Sequence, residues 1–302
     1  MSDKSTEERS SIFPGSGWPF PKGHPNDAPE ITADLIKEKI SQIRNYTPKV
    51  GVFGNSGVGK SSLCNALFGK EVAKISDVEA CTRKPQEILI NQNDGKGGIN
   101  LIDVPGIGED PERHQEYTKL YISLASELDL ILWSIKADDR NYASGLEAYK
   151  KVITTNPKIP VIFVITQVDK INPFREWDVQ KNEPGPTQKT NIVVKEHDVS
   201  KRFEVPTGNI ISISSEEKYN LKELVDLVVE VLPNEKKYSF TREAKEENVS
   251  EKARVSAEKG TWDSIKEWAG ERWDEIKEPV KEILVATATK VVKEIFKKFK
   301  FW

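Results

Sequence analysis

Apolar positions recur along the chain with two different periods, and the switches between them mark its elements. After Asp27-Ala-Pro-Glu30, which can cap a helix, Ile31, Leu35, Ile36, Ile40 and Ile43 follow at helical spacing, and Pro48 ends that helix. Val50-Gly-Val-Phe53 is a short apolar strand that runs into a glycine-rich turn. Residues 86–91 and 98–103 read as an antiparallel pair around Asp94-Gly-Lys-Gly-Gly98. Leu128-Asp-Leu-Ile-Leu-Trp-Ser-Ile135 and Pro160-Val-Ile-Phe-Val-Ile165 are almost unbroken apolar runs, the pattern of strands buried on both faces. Ile210-Ile-Ser-Ile213 is a last strand. Helical spacing fills the intervals near 60–68, 113–126, 140–155, 188–203 and 220–232. Strands alternating with helices predict an α/β fold of three layers, with a mixed, mostly parallel sheet.

The same pattern divides the chain. Residues 1–26 have little apolar periodicity and are rich in Pro, Gly and Ser, so they read as a flexible tail. Residues 27–47 are an N-terminal helix, 48–232 the α/β domain, and 233–302 a helical extension. The first half of that extension is acidic and carries Trp262, Trp268 and Trp273; the second half is basic. The tryptophans read as packing anchors rather than a ligand cage.

Composition narrows the function classes. Of 302 residues, 37% are hydrophobic and 31% charged, which excludes a collagen-like or wholly disordered chain. A net charge of −3 argues against a general polyanion binder. Cys64 and Cys81 cannot form a disulfide framework, and Pro14, Pro19 and Pro21 break the first apolar cluster where a signal peptide would need continuity. A cytoplasmic location is the expectation.

The chemistry begins in the glycine-rich turn. Gly54, Asn55, Ser56, Gly57, Val58, Gly59, Lys60 and Ser61 fit G-x-x-x-x-G-K-[ST], followed by Ser62, between a predicted strand and a predicted helix. The glycines let backbone N–H groups turn inward around phosphate oxygens, and the helix N-terminus adds its positive end. Lys60 is placed to reach the β- and γ-phosphates, and the Ser61 hydroxyl to ligate Mg²⁺. Asp103-Val-Pro-Gly106 closes a strand beside this loop: Asp103 is a candidate for holding Mg²⁺, and the Gly106 N–H for sensing a γ-phosphate. Thr82, between the loop and the next strand, is a candidate to complete the Mg²⁺ shell. Thr166, Gln167 and Asp169 follow the buried strand 160–165. A carboxylate at Asp169 can accept both the N1–H and the N2–H₂ of guanine, a donor pair that adenine lacks. Ser214, Ser215 and Glu216 follow the last strand, where a backbone N–H can meet the guanine O6.

In this order the elements of about residues 48–232 resemble the Era/TrmE-like P-loop GTPases. Ile102-Asp-Val-Pro-Gly-Ile-Gly-Glu109, Glu116-Tyr117, Thr166-Gln-Val-Asp-Lys170 and the stretch Leu128 to Arg140 resemble the uncharacterised YfjP-type subgroup more specifically. The resemblance implies a GTP/GDP-binding domain with Mg²⁺ that hydrolyses GTP slowly and works as a molecular switch on an effector protein. The alternatives it leaves open are a GTP-gated membrane-surface or self-assembling protein and a nearly inactive nucleotide-binding module.

The departures are as informative. The family's base motif reads Asn-Lys-x-Asp, whose Lys stem covers the base and the phosphate loop; Thr166 and Gln167 stand at its first two positions. Potassium-activated relatives carry Asn at the fourth position of the phosphate loop, which here is Gly57. Ile107 follows Gly106 where many switch GTPases have a water-orienting Gln, so slow turnover is expected unless another group assists. Arg83, Arg113, a second copy or a partner protein are the candidates. No G-x-x-G loop occurs in 233–302, so no RNA-binding module is recognised.

Two segments remain. Residues 170–208 read as a loop and helix over the nucleotide side, either a tolerated insertion or an effector surface. Leu284, Ala288, Val291, Val292, Ile295, Phe296, Phe299 and Trp302 share one helical face, opposite Lys290, Lys293, Lys297 and Lys300. Such a stripe is more often buried against protein, here the α/β domain or a second copy in a homodimer, than laid on a membrane through 280–302.

Overall fold

The computed structural model describes residues 28–69, 86–90, 98–107 and 111–270, with Ala286, Thr289, Lys290 and Lys293 beyond them. The expected tail, Thr82, Arg83, Trp273 and, those two lysines and no other stripe residue excepted, the amphipathic stripe lie outside the described residues.

β1 (Lys49–Gly54), β2 (Gln86–Ile90), β3 (Ile99–Asp103), β4 (Leu130–Lys136), β5 (Val161–Thr166) and β6 (Ile210–Ser212) form a sheet in the order β2-β3-β1-β4-β5-β6. Only the β2–β3 pair is antiparallel; β1 lies parallel to both β3 and β4. The period of two explains the unbroken apolar runs, because successive residues enter different cores. Val50, Leu130, Leu132, Ile162 and Val164 face one core, and Phe53, Ile131, Trp133, Phe163 and Ile165 the other.

Helices cover both faces. α2 (Lys60–Phe68) and α6 (Leu221–Val231) close the first core through Leu63, Leu67, Leu224 and Val228. α3 (Pro111–Ala125), α4 (Ala143–Thr155) and α5 (Pro186–Phe203) close the second through Tyr121, Val152, Val199 and Phe203. The latter is rich in rings: Trp133 meets Tyr149 edge-on at 5.4 Å, and Phe53 stacks on Tyr121 at 4.1 Å.

β4 begins later than its apolar run predicts, because Asp129 turns a corner. Its carboxylate accepts from the Tyr46 hydroxyl (2.9 Å), from the Lys49 N–H (2.9 Å) and from the Lys236 ammonium. These contacts tie the end of α1 (Ala28–Asn45), the start of β4 and α7 (Asn234–Glu243) together below the sheet.

α7 and α8 (Glu251–Gly270) pack against one another and against α1 and α6. Phe240 and Ala253 enter the first core. The segment between them also closes the end of α2: the Lys245 N–H donates to the Leu67 carbonyl and Asn248 Nδ2 to the Ala66 carbonyl, both at 2.9 Å. A helix end leaves such carbonyls without intrahelical partners. Of the tryptophans, Trp262 is part-buried, with the Lys266 ammonium 5.3 Å from its ring centre.

Candidate nucleotide site

The site assembles at the carboxyl ends of β1, β3, β4, β5 and β6. Gly57 and Gly59 adopt φ of +72° and +85°, a region that side chains rarely enter. These turns curl residues 55–59 around the N-terminus of α2, whose Gly59 N-cap supplies no side-chain hydrogen bond to the first-turn amides. Lys60 is 8% exposed, and its ammonium donates to the Asn55 carbonyl at 2.9 Å and lies 3.4 Å from that of Gly54. Ser61 and Ser62 follow in the first turn, both part-exposed.

The segment after β3 is stitched to this loop. The Ser56 N–H donates to the Ile107 carbonyl (3.2 Å), and the Ile107 N–H to the Gly54 carbonyl (3.3 Å). Gly106 is required by closeness: a Cβ there would lie 2.3 Å from the Ser56 nitrogen. Asp103 ends β3 opposite Val52. The Ile107 side chain is 0% exposed and belongs to the second core.

On the base side, the Thr166 hydroxyl donates to the Val58 carbonyl at 2.6 Å, linking the end of β5 to the phosphate loop. Gln167 adopts φ +57°, and its Nε2 lies 3.5 Å from where a Cβ on Gly59 would sit. It therefore rests on the loop where the family's Lys stem is expected. Asp169 follows in a short 3₁₀ turn, Val168–Lys170. The Val168 N–H bonds to the Ile213 carbonyl (3.2 Å), and Lys170 pairs with Glu216 at 3.5 Å, which brings Ser214, Ser215 and Glu216 beside Asp169. Ser214 is fully buried and its hydroxyl accepts the Glu217 N–H at 3.1 Å. The structure thus brings the phosphate loop, 103–107, 166–169 and 214–216 to one end of the sheet.

Three supporting residues escape sequence reasoning. The Tyr121 hydroxyl, 0% exposed, lies 2.9 Å from the Pro105 carbonyl and 3.1 Å from that of Gly54. It holds the two phosphate-side segments together from α3. Gln188, fully buried in the first turn of α5, donates to the Ile171 carbonyl at 3.0 Å and lies 3.4 Å from that of Asp169. Lys195, 8% exposed, donates to the Tyr142 hydroxyl at 2.6 Å and to the Asp139 carbonyl. Burial pushes its ammonium below the ordinary lysine range, against the pull of Asp139 and Asp198. Each sits on a helical face whose periodicity reads as plain core or surface, and no motif marks it.

A protein-family model described as "50S ribosome-binding GTPase" matches residues 49–167. The uncharacterised protein YkfA of Escherichia coli (strain K12) is 37% identical over 209 residues, covering 69% of this chain and 70% of YkfA. YfjP of the same organism is 37% identical over 207 residues, covering 68% of this chain and 70% of YfjP. GTPase Era of Alkaliphilus oremlandii (strain OhILAs) is 26% identical over 190 residues, covering 63% of this chain.

The chain belongs to the Era-like P-loop GTPases. Within that family it is a GTP-binding GTPase built on a mixed, mostly parallel six-stranded sheet. The match spans 57% of the Alkaliphilus Era, so the remainder of that protein has no counterpart in the alignment.

Proposed function

We propose that this GTPase hydrolyses GTP slowly and acts as a molecular switch, with guanine chosen by Asp169. The observation that carries this reading is the paired placement of Thr166 and Gln167 on the phosphate loop, which sets the Asp169 turn at a fixed distance from it. In the reaction, a water oxygen bonds to the γ-phosphorus as the bond to the β–γ bridging oxygen breaks. The electron pair leaves with GDP, and the water proton passes to the phosphate product or to solvent. Lys60 and the amides of 57–62 hold the negative charge; no covalent intermediate is needed.

The residues fit Mg²⁺. Ser61 offers a hydroxyl at the start of α2, and β3 ends at Asp103 beside the loop. Thr82 completes the proposed set. When bound, Mg²⁺ neutralises charge on the phosphate oxygens. Slow turnover follows from Ile107, whose buried side chain orients no water. The switch follows from the stitching of Ile107 to the loop, because a change in what the loop holds is passed along the chain toward α3.

Asp169→Asn tests base choice. It replaces a double acceptor with an amide that presents one acceptor and one donor, so affinity should move from GTP towards xanthosine triphosphate. Titration of parent and variant with GTP, XTP and ATP checks this. A parent that prefers ATP sinks the guanine assignment.

A further inference from the structure

The chain leaves the base side after Asp169 and returns to it through α5. Between them the 172–184 excursion closes on itself: Asp178 and Glu183 exchange both backbone hydrogen bonds, at 2.9 and 3.2 Å. Glu176 then meets the start of α5, its carboxylate accepting from the Thr187 N–H (2.9 Å) and the Thr187 hydroxyl (2.8 Å). Glycine is required at 185, since a Cβ there would lie 2.5 Å from that of Glu176. The first turn of α5 is therefore fixed by contacts that need no nucleotide.

Gln188 in that turn is 0% exposed, and its amide reaches back to the Asp169 segment. The 3₁₀ turn Val168–Lys170 uses the carbonyls of Gln167 and Val168 internally, for the N–H groups of Lys170 (3.1 Å) and Ile171 (3.2 Å). The carbonyls of Asp169 and Ile171 must find donors elsewhere. Gln188 Nε2 faces both, 3.4 Å from that of Asp169 and 3.0 Å from that of Ile171. Its Oε1 accepts the Gly185 N–H at 3.1 Å. Two carbonyls and one N–H call for two donors and one acceptor on one planar group, which a primary amide supplies. On the same helical face, Asn191 Nδ2 donates to the Asn172 carbonyl at 2.7 Å. So α5 grips two successive backbone carbonyls just beyond Asp169.

This grip has a consequence for the base. A carboxylate that meets the N1–H and N2–H₂ of guanine together needs its position held to about 0.5 Å. The lysine whose stem covers base and loop in the family is Gln167 here, so the turn relies on its other contacts. We infer that Gln188 is a positioning residue for guanine recognition: it holds the Asp169 turn against α5 and so aims the carboxylate at both donors of the base. The 170–208 segment then serves as the frame of the base site. This rests on the reading of Asp169 above and goes beyond it by naming what aims that side chain.

The test compares affinity for GTP with that for inosine triphosphate, whose base keeps the N1–H and lacks the N2 amine. The ratio reads the aim of the carboxylate and cancels what the phosphates contribute. The parent prefers GTP by about tenfold or more, the scale of one hydrogen bond to a charged group. Gln188→Met, close in size but without the amide, brings the ratio near one. Val199→Ala, a cavity in the buried face of the same helix, lowers the melting temperature and leaves the ratio at the parent value. In an Asp169→Ala background Gln188→Met costs no further GTP affinity, because it acts through the carboxylate. Should Gln188→Met not fold, the part-exposed Asn191→Ala decides, and its ratio falls in the same direction. A parent ratio in Gln188→Met, or in Asn191→Ala where that variant decides, overturns the inference, as does a further loss in the Asp169→Ala background; the GTP preference of the parent then leaves the Asp169 reading standing. A parent that binds both nucleotides equally loses that reading and the inference with it.

Discussion

Tyr121 joins two segments that a nucleotide must find in register. Its hydroxyl reaches the carbonyls of Gly54 and Pro105 from inside the second core, where water cannot replace it. Tyr121→Phe keeps the ring on Phe53 but leaves a buried carbonyl without its donor, at a cost of about 1–2 kcal/mol. The denaturant midpoint should fall accordingly with an unchanged slope, and nucleotide affinity should fall with it. An unchanged midpoint would show that the hydroxyl contributes nothing. The motif is legible in the sequence because phosphate chemistry restricts both type and spacing: Gly54, Gly59 and Lys60 admit few substitutes. Tyr121, Gln188 and Lys195 are not, because a buried hydroxyl, amide or ammonium becomes meaningful only when the fold brings a distant carbonyl to it. Gln167 lies between these cases. Its departure from Lys was visible, but its placement against Gly59 needed the turn at φ +57°.

Among the elements, the apolar runs located every described strand, and the period of two predicted burial on both faces. Boundaries shifted where one polar residue had several partners, as at Asp129. That corner also fixes how α1 and α7 sit under the sheet. Burial pushes the Tyr46 hydroxyl up to about 12, helped by the Asp129 charge. Burial alone would lower Lys236, but its hydrogen bond and attraction to Asp129 raise it. Both groups have folded values above their unfolded ones, 10.0 for tyrosine and 10.5 for lysine. Their stabilisation is therefore complete below about pH 10 and is lost as pH rises towards 12. The melting temperature of the parent should fall faster over that window than that of Asp129→Asn, which starts lower at neutral pH. Parallel curves would show that the cluster is not the alkaline-sensitive joint.

For the whole molecule, the hydrogen bonds from Lys245 and Asn248 to the end of α2 join the described part of the C-terminal extension to the helix that begins at Lys60. The far end of the helix that follows the phosphate loop is thus held by the segment between α7 and α8, while Lys195 of α5 braces the loop after β4. Among the described residues, no helix is long and apolar enough to cross a membrane. What the assembled chain does with a nucleotide depends on whether Lys60 faces the phosphates of GTP. Single-turnover phosphate release from GTP, measured for the parent and Lys60→Ala with ATP as competitor, tests this most directly. The parent should release phosphate from GTP without inhibition by ATP, and Lys60→Ala should be slower by roughly 10²-fold or more, the scale of removing one preorganised charge from a phosphoryl transfer site. A Lys60→Ala protein that releases phosphate at the parent rate, or a parent that turns over ATP in preference to GTP, would contradict the account.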